Sequence, residues 1–479
     1  MIKKELERKR NSCENSRGKG NNCWSLCKNY HGVVSLISAS KMATTAVIVS
    51  GIFGTLLRIL LFSTGIPAWL RERKEVVTPL TSWERVLEGV ALQKQFISPY
   101  TGDIFHETPL LLRCLRLMEN LPGGSKTIFV VADIVIGILL VKIADEFSRS
   151  EYKRQQKELS TYSPRAKSLL LTPRVILNIP MAVAMVHFFG PYSIATCLAH
   201  STAVFTNVAV LLCWLYTLRG NMLFSCLALA VATYQSLYPA IFIIPVAMRL
   251  FQMTDPKPSS FVARAAIQIY VRTVLSFAVC LAALLGASFC LEGSWAFLRS
   301  TYGFILGVPD LTPNVGVFWY FFTEMFEHFR IFFVCVFQIN TFIYSIPLAV
   351  KLCDRPLFQL YVVMFLVSIF KSYPSYADTA LYLSLLPLWQ HVFGYLRNMM
   401  VVSVMYMVVA VVAPILWHLW IYAASANANF YFAITLTFST AQIFLLTDLL
   451  FAFLRYEYDL KNGTKHCLPN GEKTSVVLE

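Results

Sequence analysis

The sequence predicts an all-α polytopic membrane protein with about ten to twelve membrane helices. Three observations carry that class. The 479 residues are 56% hydrophobic and only 14% charged, where a soluble domain carries roughly 25% charged residues. Apolar runs of roughly 18 or more residues recur along the chain, each long enough to span a bilayer as a helix. Leu, Phe, Val and Ala dominate those runs, without the strict two-residue alternation of an outer-membrane barrel.

Residues 1–41 read as a disordered basic tail with little periodicity. An abrupt change at Met42 opens the first span, about 43–63, inside a multispan domain expected over 42–455. Two readings stay open for the tail, a cytosolic extension or a segment upstream of a functional start at Met42. The span resembles a signal anchor, because no small-x-small cleavage site follows it. The loop 64–126 is amphipathic, with Ser82 placed to cap a short helix that carries Arg85 and Glu88 on its polar side.

A second span at 127–143 leads into a charged helix, 142–174, rich in Arg and Lys. The positive-inside rule puts that helix in the cytosol and the loop 64–126 in the lumen. Further spans are expected at about 175–200, 203–219, 222–250, 266–291, 316–350, 356–371, 376–396, 398–422 and 429–454. Internal prolines such as Pro180, Pro239, Pro374 and Pro414 break several of them; such breaks are tolerated where they are buried in protein or line a cavity. The tail 456–479 is polar and, with an even number of spans, cytosolic. Its sequon Asn462-Gly463-Thr464 would stay unmodified there.

The net charge of +14 lies mostly between and beside apolar segments, where it sets topology. It does not form a nucleic-acid face. The twelve cysteines do not suggest a disulfide framework, since many sit inside apolar segments as small hydrophobes. Cys23, Cys27 and His31 lack a convincing fourth ligand, so no metal is expected. No cofactor motif is present: HExxH, the P-loop, GxSxG and the dinucleotide fingerprint are all missing.

Three motifs stand out. In 310–329, Glu324, Glu327 and His328 share one face if the segment is helical. Ionisable groups are expensive at membrane depth. With Trp319 and Tyr320 they line either a cavity for a polar lipid head or an interfacial aromatic belt. In 417–430, Asn427 and Asn429 lie beside Trp417, Trp420 and Phe430. These amides either hold a sugar or phosphate or form a turn between two spans. Third, the breaks Tyr234–Pro239 and Phe370–Pro374 look alike, and Lys371 can reach Asp378. Helix packing is the favoured role for both.

Long runs across the core resemble one family. They are Ser98-Pro99-Tyr100-Thr101-Gly102, the stretches 105–110, 232–239, 302–314 and 318–329, and Trp417 through Phe430. The chain is similar to the PIG-U family, subunits of the glycosylphosphatidylinositol (GPI) transamidase, from about Met42 onward. The resemblance implies a multi-pass protein of the endoplasmic reticulum membrane with both termini cytosolic. Its expected partners are PIG-K, PIG-T, PIG-S and a Gaa-type subunit, with the Cys–His chemistry in PIG-K. It implies a non-catalytic subunit that holds the GPI lipid and scaffolds the membrane part. It also places Asn427 and Asn429 at the GPI site; from the residues themselves, Trp417, Trp420 and Phe430 are expected as one wall of a lipid groove and Trp319, Tyr320 and Glu324 as a second.

The family is related in architecture to GPI mannosyltransferases, so a multispan glycosyltransferase-like scaffold is expected. An active mannosyltransferase is the first alternative function. It is disfavoured because Glu72, Glu75, Glu84, Glu88, Asp103 and Glu107 contain no paired acid motif, and glycosyl transfer needs a placed carboxylate. A lipid transporter is the second alternative, for which an inverted repeat is expected and not visible.

Overall fold

The computed structural model describes residues 42–119, 124–254 and 264–464. The tail 1–41, with Cys23, Cys27 and His31, lies outside the described residues, as does 465–479. Among the described residues no strand forms; Ser82 and Ser201 make an isolated antiparallel bridge. The chain is an all-α multi-pass membrane protein. Among the described residues seven helices are long and apolar enough to cross a membrane, and four shorter apolar helices accompany them.

The first half comprises α1 (Met42–Leu61), α2 (Ile66–Glu72), α3 (Trp83–Lys94), α4 (Pro109–Glu119), α5 (Gly124–Lys157), α6 (Pro173–Phe189), α7 (Pro191–Leu198), α8 (Ala203–Arg219) and α9 (Met222–Ser236). The second half comprises α10 (Ile243–Thr254), α11 (Arg264–Glu292), α12 (Phe318–Glu324), α13 (Arg330–Ile343), α14 (Pro356–Phe370), α15 (Tyr376–Leu385), α16 (Met399–Ile421) and α17 (Ala428–Asn462). The expected span at 127–143 and the charged stretch after it are one continuous helix, α5, as far as Lys157. Proline starts α6, α7 and α14, where its missing N–H costs nothing. Ser82 stands at the start of α3 but makes no side-chain capping bond.

Helix α14 is buried around its whole circumference, so it is the axis of the bundle. Phe358 stacks on Phe453 at 3.7 Å and Phe365 on Tyr382 at 3.8 Å, tying α14 to α17 and α15. By contrast, α1, α11, α13 and α16 bury little of themselves in the protein. Their apolar faces are those of helices solvated by lipid.

Helix α1 is held by a charge. Arg58 is fully buried, its Nε 2.7 Å from Asp133 Oδ2 of α5. Its other nitrogens donate to Phe188 O at 2.7 Å and Ser193 Oγ at 2.9 Å. A buried charge is tolerated only when paired and hydrogen-bonded. The helices come close here: a Cβ on Gly54 would sit 2.6 Å from Phe188 Cβ, and one on Gly137 2.4 Å from Phe188 Cζ.

The two look-alike breaks meet. Leu237 ends α9 with φ +61°, and Lys371 ends α14 in an extended conformation. Tyr238 Oη lies 2.9 Å from Ser372 Oγ and accepts from Ser372 N at 3.0 Å. Lys371 Nζ donates to Asp378 Oδ1 at 2.6 Å, and Asp378 completes a capping box with Ser375 at the start of α15. Polar groups from both breaks thus bond to one another within the protein.

The two ends of the bundle differ. At one end Arg355 joins Glu457 at 2.8 Å, and Arg154 joins Glu158 at 3.0 Å. At the other end the segment 64–119 packs over the ends of α14 to α17, with Tyr376 N donating to Glu75 O at 2.9 Å.

Candidate functional site

The two aromatic motifs, about a hundred residues apart, form one site under the segment 64–119. The run Phe318–Glu324 is a single short helix, α12, because Met325 leaves it extended at ψ 143°. Glu327–Phe329 is a separate turn. Glu324, Glu327 and His328 therefore do not share a helix face, and the expectation that they do is corrected. Glu324 is exposed at the end of α12, and Glu327 is exposed 3.7 Å from Arg330. The aromatic residues of α12 do the packing instead.

Trp319 is buried and stacks on Trp420 at 6.2 Å. Tyr431 packs against Trp417 at 5.1 Å and Trp420 at 6.0 Å. Tyr320 stacks on Phe432 at 4.3 Å, and its Oη donates to Asn429 Oδ1. Asn427 caps α17: its Oδ1 accepts from Asn429 N at 3.1 Å. Asn427 thus builds the turn between the two spans, while Asn429 faces the aromatic wall. Phe430 is exposed and stands apart from this cluster. The indole Nε1 of Trp319 is buried without a hydrogen-bond partner among the described residues, an uncommon state for a donor.

Sequence reasoning missed the support beneath. Tyr431 Oη donates to Glu75 Oε1 at 2.5 Å. Glu75 is gripped by Arg73 through two bonds, 2.7 Å and 3.2 Å. The Arg73 guanidinium lies over Trp417 at 5.0 Å and Trp69 at 5.4 Å. A forked Arg–carboxylate pair is geometrically specific, so Glu75 fixes the ring that the two tryptophans pack on. The only signal in the sequence is a charged run after the first span, which reads as ordinary loop.

An apolar groove of about 580 Å³ adjoins the polar pair, lined by Phe318, Phe321, Phe337, Ile339, Phe370 and Phe432. Phe432 belongs to both, with Tyr320 on one side and the groove on the other. Amide and phenol groups thus stand beside a phenylalanine-lined channel of acyl-chain size.

The start of the 310–329 motif is structural. Asp310 accepts from Thr312 and from Arg85 at 3.3 Å, and Tyr373 Oη donates to its carbonyl at 2.9 Å. Burial pushes the Asp310 carboxyl up, but the Thr312 bonds and Arg85 outweigh it and hold it below its ordinary value.

Glu107 lies elsewhere, at a small polar cavity of about 70 Å³ lined also by Thr202, Gln235, Tyr238, Lys371 and Asp378. Burial pushes its carboxyl up to about 7, against the Thr202 hydroxyl, which donates to it and favours the ionised form. Of the acids in the 64–119 segment, Glu75 is tied to Arg73 and Glu107 is buried with a threonine. Among the described residues no group of three metal-binding side chains comes together.

A family model described as GPI transamidase subunit PIG-U matches residues 52–438. The human GPI-anchor transamidase component PIGU is 42% identical over 424 residues, 88% of this chain and 97% of its own. The Schizosaccharomyces pombe GPI transamidase component GAB1 homolog is 30% identical over 405 residues, 83% of this chain and 91% of its own. The GPI transamidase component GAB1 of Saccharomyces cerevisiae is 28% identical over 393 residues, 81% of this chain and 89% of its own. With seven helices long and apolar enough to cross a membrane among the described residues and the family model matching residues 52–438, the chain belongs to the PIG-U family of GPI transamidase subunits.

Proposed function

We propose that this subunit is non-catalytic and holds the GPI lipid for the transamidase at the junction of α12, α16 and α17. The observation that carries the reading is the Tyr320–Asn429 pair at the mouth of the phenylalanine-lined groove. GPI has phosphates and sugar hydroxyls at the membrane surface and acyl chains below. Asn429 spends its oxygen on Tyr320, and its amide N–H groups suit phosphate or hydroxyl oxygens. The groove suits an acyl chain. Trp319, Trp417 and Trp420 form the wall at headgroup depth, where such rings concentrate.

The non-catalytic role is supported by the engagement of Glu75 with Arg73 and Tyr431. That leaves it a structural carboxylate. The Cys–His chemistry is assigned to PIG-K, and PIG-T, PIG-S and a Gaa-type subunit complete the proposed assembly. The proposed setting is the endoplasmic reticulum membrane with both termini in the cytosol, so that the segment 64–119 and the lipid site face the lumen.

The test is GPI co-purification with the assembled complex, alongside surface display of a GPI-anchored reporter. Tyr320→Phe combined with Asn429→Ala removes hydrogen bonds worth about 1–3 kcal/mol each. GPI recovery should fall about tenfold or more at unchanged subunit composition. Full GPI recovery in the double variant removes these residues from the site.

A further inference from the structure

A second membrane-facing groove lies away from the lipid site, at the end of α11. It has a volume of about 540 Å³, and its lining includes Lys94, Arg113, Arg116, Glu292, Phe96 and Ile97. Among the described residues of the lining, Arg113 and Arg116 stand with the carboxylate of Glu292. Gln93 of α3 donates to Glu292 at 3.4 Å, fixing the wall that α3 shares with α11.

Three observations place the groove at headgroup depth. Helix α11 is a candidate span that ends at Glu292, and its apolar face is hardly buried in the protein. Just past its end, Trp295 is half exposed and stacks on Phe289 at 4.7 Å. Phe96 is 99% exposed. A bulky side chain at φ +61° is an outlier. This one is held by Phe96 N donating to Gln93 O at 3.2 Å and Ile97 N to Leu92 O at 3.0 Å. An exposed ring on a hydrogen-bonded backbone beside the end of an apolar candidate span suits the boundary of acyl chains and headgroups, where aromatic and basic residues gather.

Helix α4 supplies the chemistry. Its leucines Leu111, Leu112 and Leu115 are buried, while Arg113 and Arg116 line the groove. Arginine matches a phosphate with two parallel N–H donors. We propose that this groove binds the phosphodiester headgroup of an anionic bilayer phospholipid, with Arg113 and Arg116 on the phosphate and Phe96 in the acyl region beneath. This site is separate from the Tyr320–Asn429 site and does not depend on it.

Native mass spectrometry of the intact complex, purified from nanodiscs containing phosphatidylglycerol and phosphatidylcholine, provides the test. Arg113→Gln with Arg116→Gln should lower phosphatidylglycerol retention by about tenfold or more. Subunit composition and GPI content should not change. Glu292→Gln removes the carboxylate of the described lining and should raise retention severalfold, a gain that misfolding does not produce. Unchanged retention in both variants overturns the site. Loss of another subunit at unchanged phospholipid content also overturns it, and makes the groove a protein interface.

Discussion

The phenol of Tyr320 donates to the side-chain oxygen of Asn429, joining two segments separated by 109 residues. Tyr320 is on α12 and Asn429 in the first turn of α17, whose cap is Asn427. The contact makes one site of two motifs that the sequence offers separately. It also separates the two asparagines by role, since one is spent on the backbone and the other on the wall.

That separation is testable. Asn427→Ala should cost about 1 kcal/mol of stability through the lost cap, and Asn427→Ser should restore most of it. Asn429→Ala should leave stability nearly unchanged and lower GPI recovery instead. Thermal unfolding of the purified complex and GPI co-purification read the two effects independently. Equal stability losses at both positions count against the assignment.

Arg58 and Asp133 set the attachment of α1. Removing either partner leaves a buried charge without its counter-ion, which costs about 3–5 kcal/mol. Arg58→Met and Asp133→Leu should each sharply reduce the amount of assembled complex. The double variant should recover a large part of it, because an apolar pair of similar volume is often tolerated. Quantitative blotting of the complex in cells lacking the native chain measures this. No recovery in the double variant means the bonds from Arg58 to Phe188 O and Ser193 matter more than the ion pair.

Much of this architecture is legible in composition and local spacing. The spans announce themselves through apolar length, and the break before Pro239 through its proline. The Lys371–Asp378 pair is within reach along the chain, and it forms. What is not legible depends on partners far away in sequence. Glu75 looks like one more charge in a polar loop, yet it meets Tyr431 across 356 residues. The shared face of Glu324, Glu327 and His328 requires an unbroken helix. The chain turns extended at Met325, with neither proline nor glycine there to announce the end. Trp319 and Tyr320 still pack in the aromatic cluster, because aromatic density does not depend on the helix continuing.

At the break after α14, Asp378 does two jobs and Lys371 one. Asp378→Ala loses both the capping box and the ion pair, while Lys371→Met loses only the pair. The Asp378 variant should therefore be the less stable by about 1 kcal/mol. Thermal unfolding of the complex, run as a double-mutant cycle, gives the coupling, expected at about 0.5–3 kcal/mol. Zero coupling means that the 2.6 Å contact contributes nothing to stability.

Glu107 couples stability to pH. Its carboxyl is pushed from an ordinary value of 4.5 up to about 7 by burial, so the folded state binds more protons than the unfolded chain between those values. Stability is then fully present below the unfolded value and is lost as pH rises through about 7. The loss between about pH 5 and pH 8 should be about 2–3 kcal/mol. Glu107→Gln keeps a hydrogen-bonding group at this place and cannot ionise, so this loss should be absent from its profile. Wild type and variant should match near pH 5, and the variant should be the more stable at pH 8. Thermal unfolding of the complex across that range is the measurement, and parallel profiles overturn the assignment. The same variant tests the function. A carboxylate acting as a general base contributes about 100-fold to 10,000-fold to a rate. If the subunit is non-catalytic, Glu107→Gln should leave reporter display per assembled complex essentially intact at neutral pH. A fall of two orders of magnitude at full assembly would assign Glu107 to a reaction carried out by this subunit.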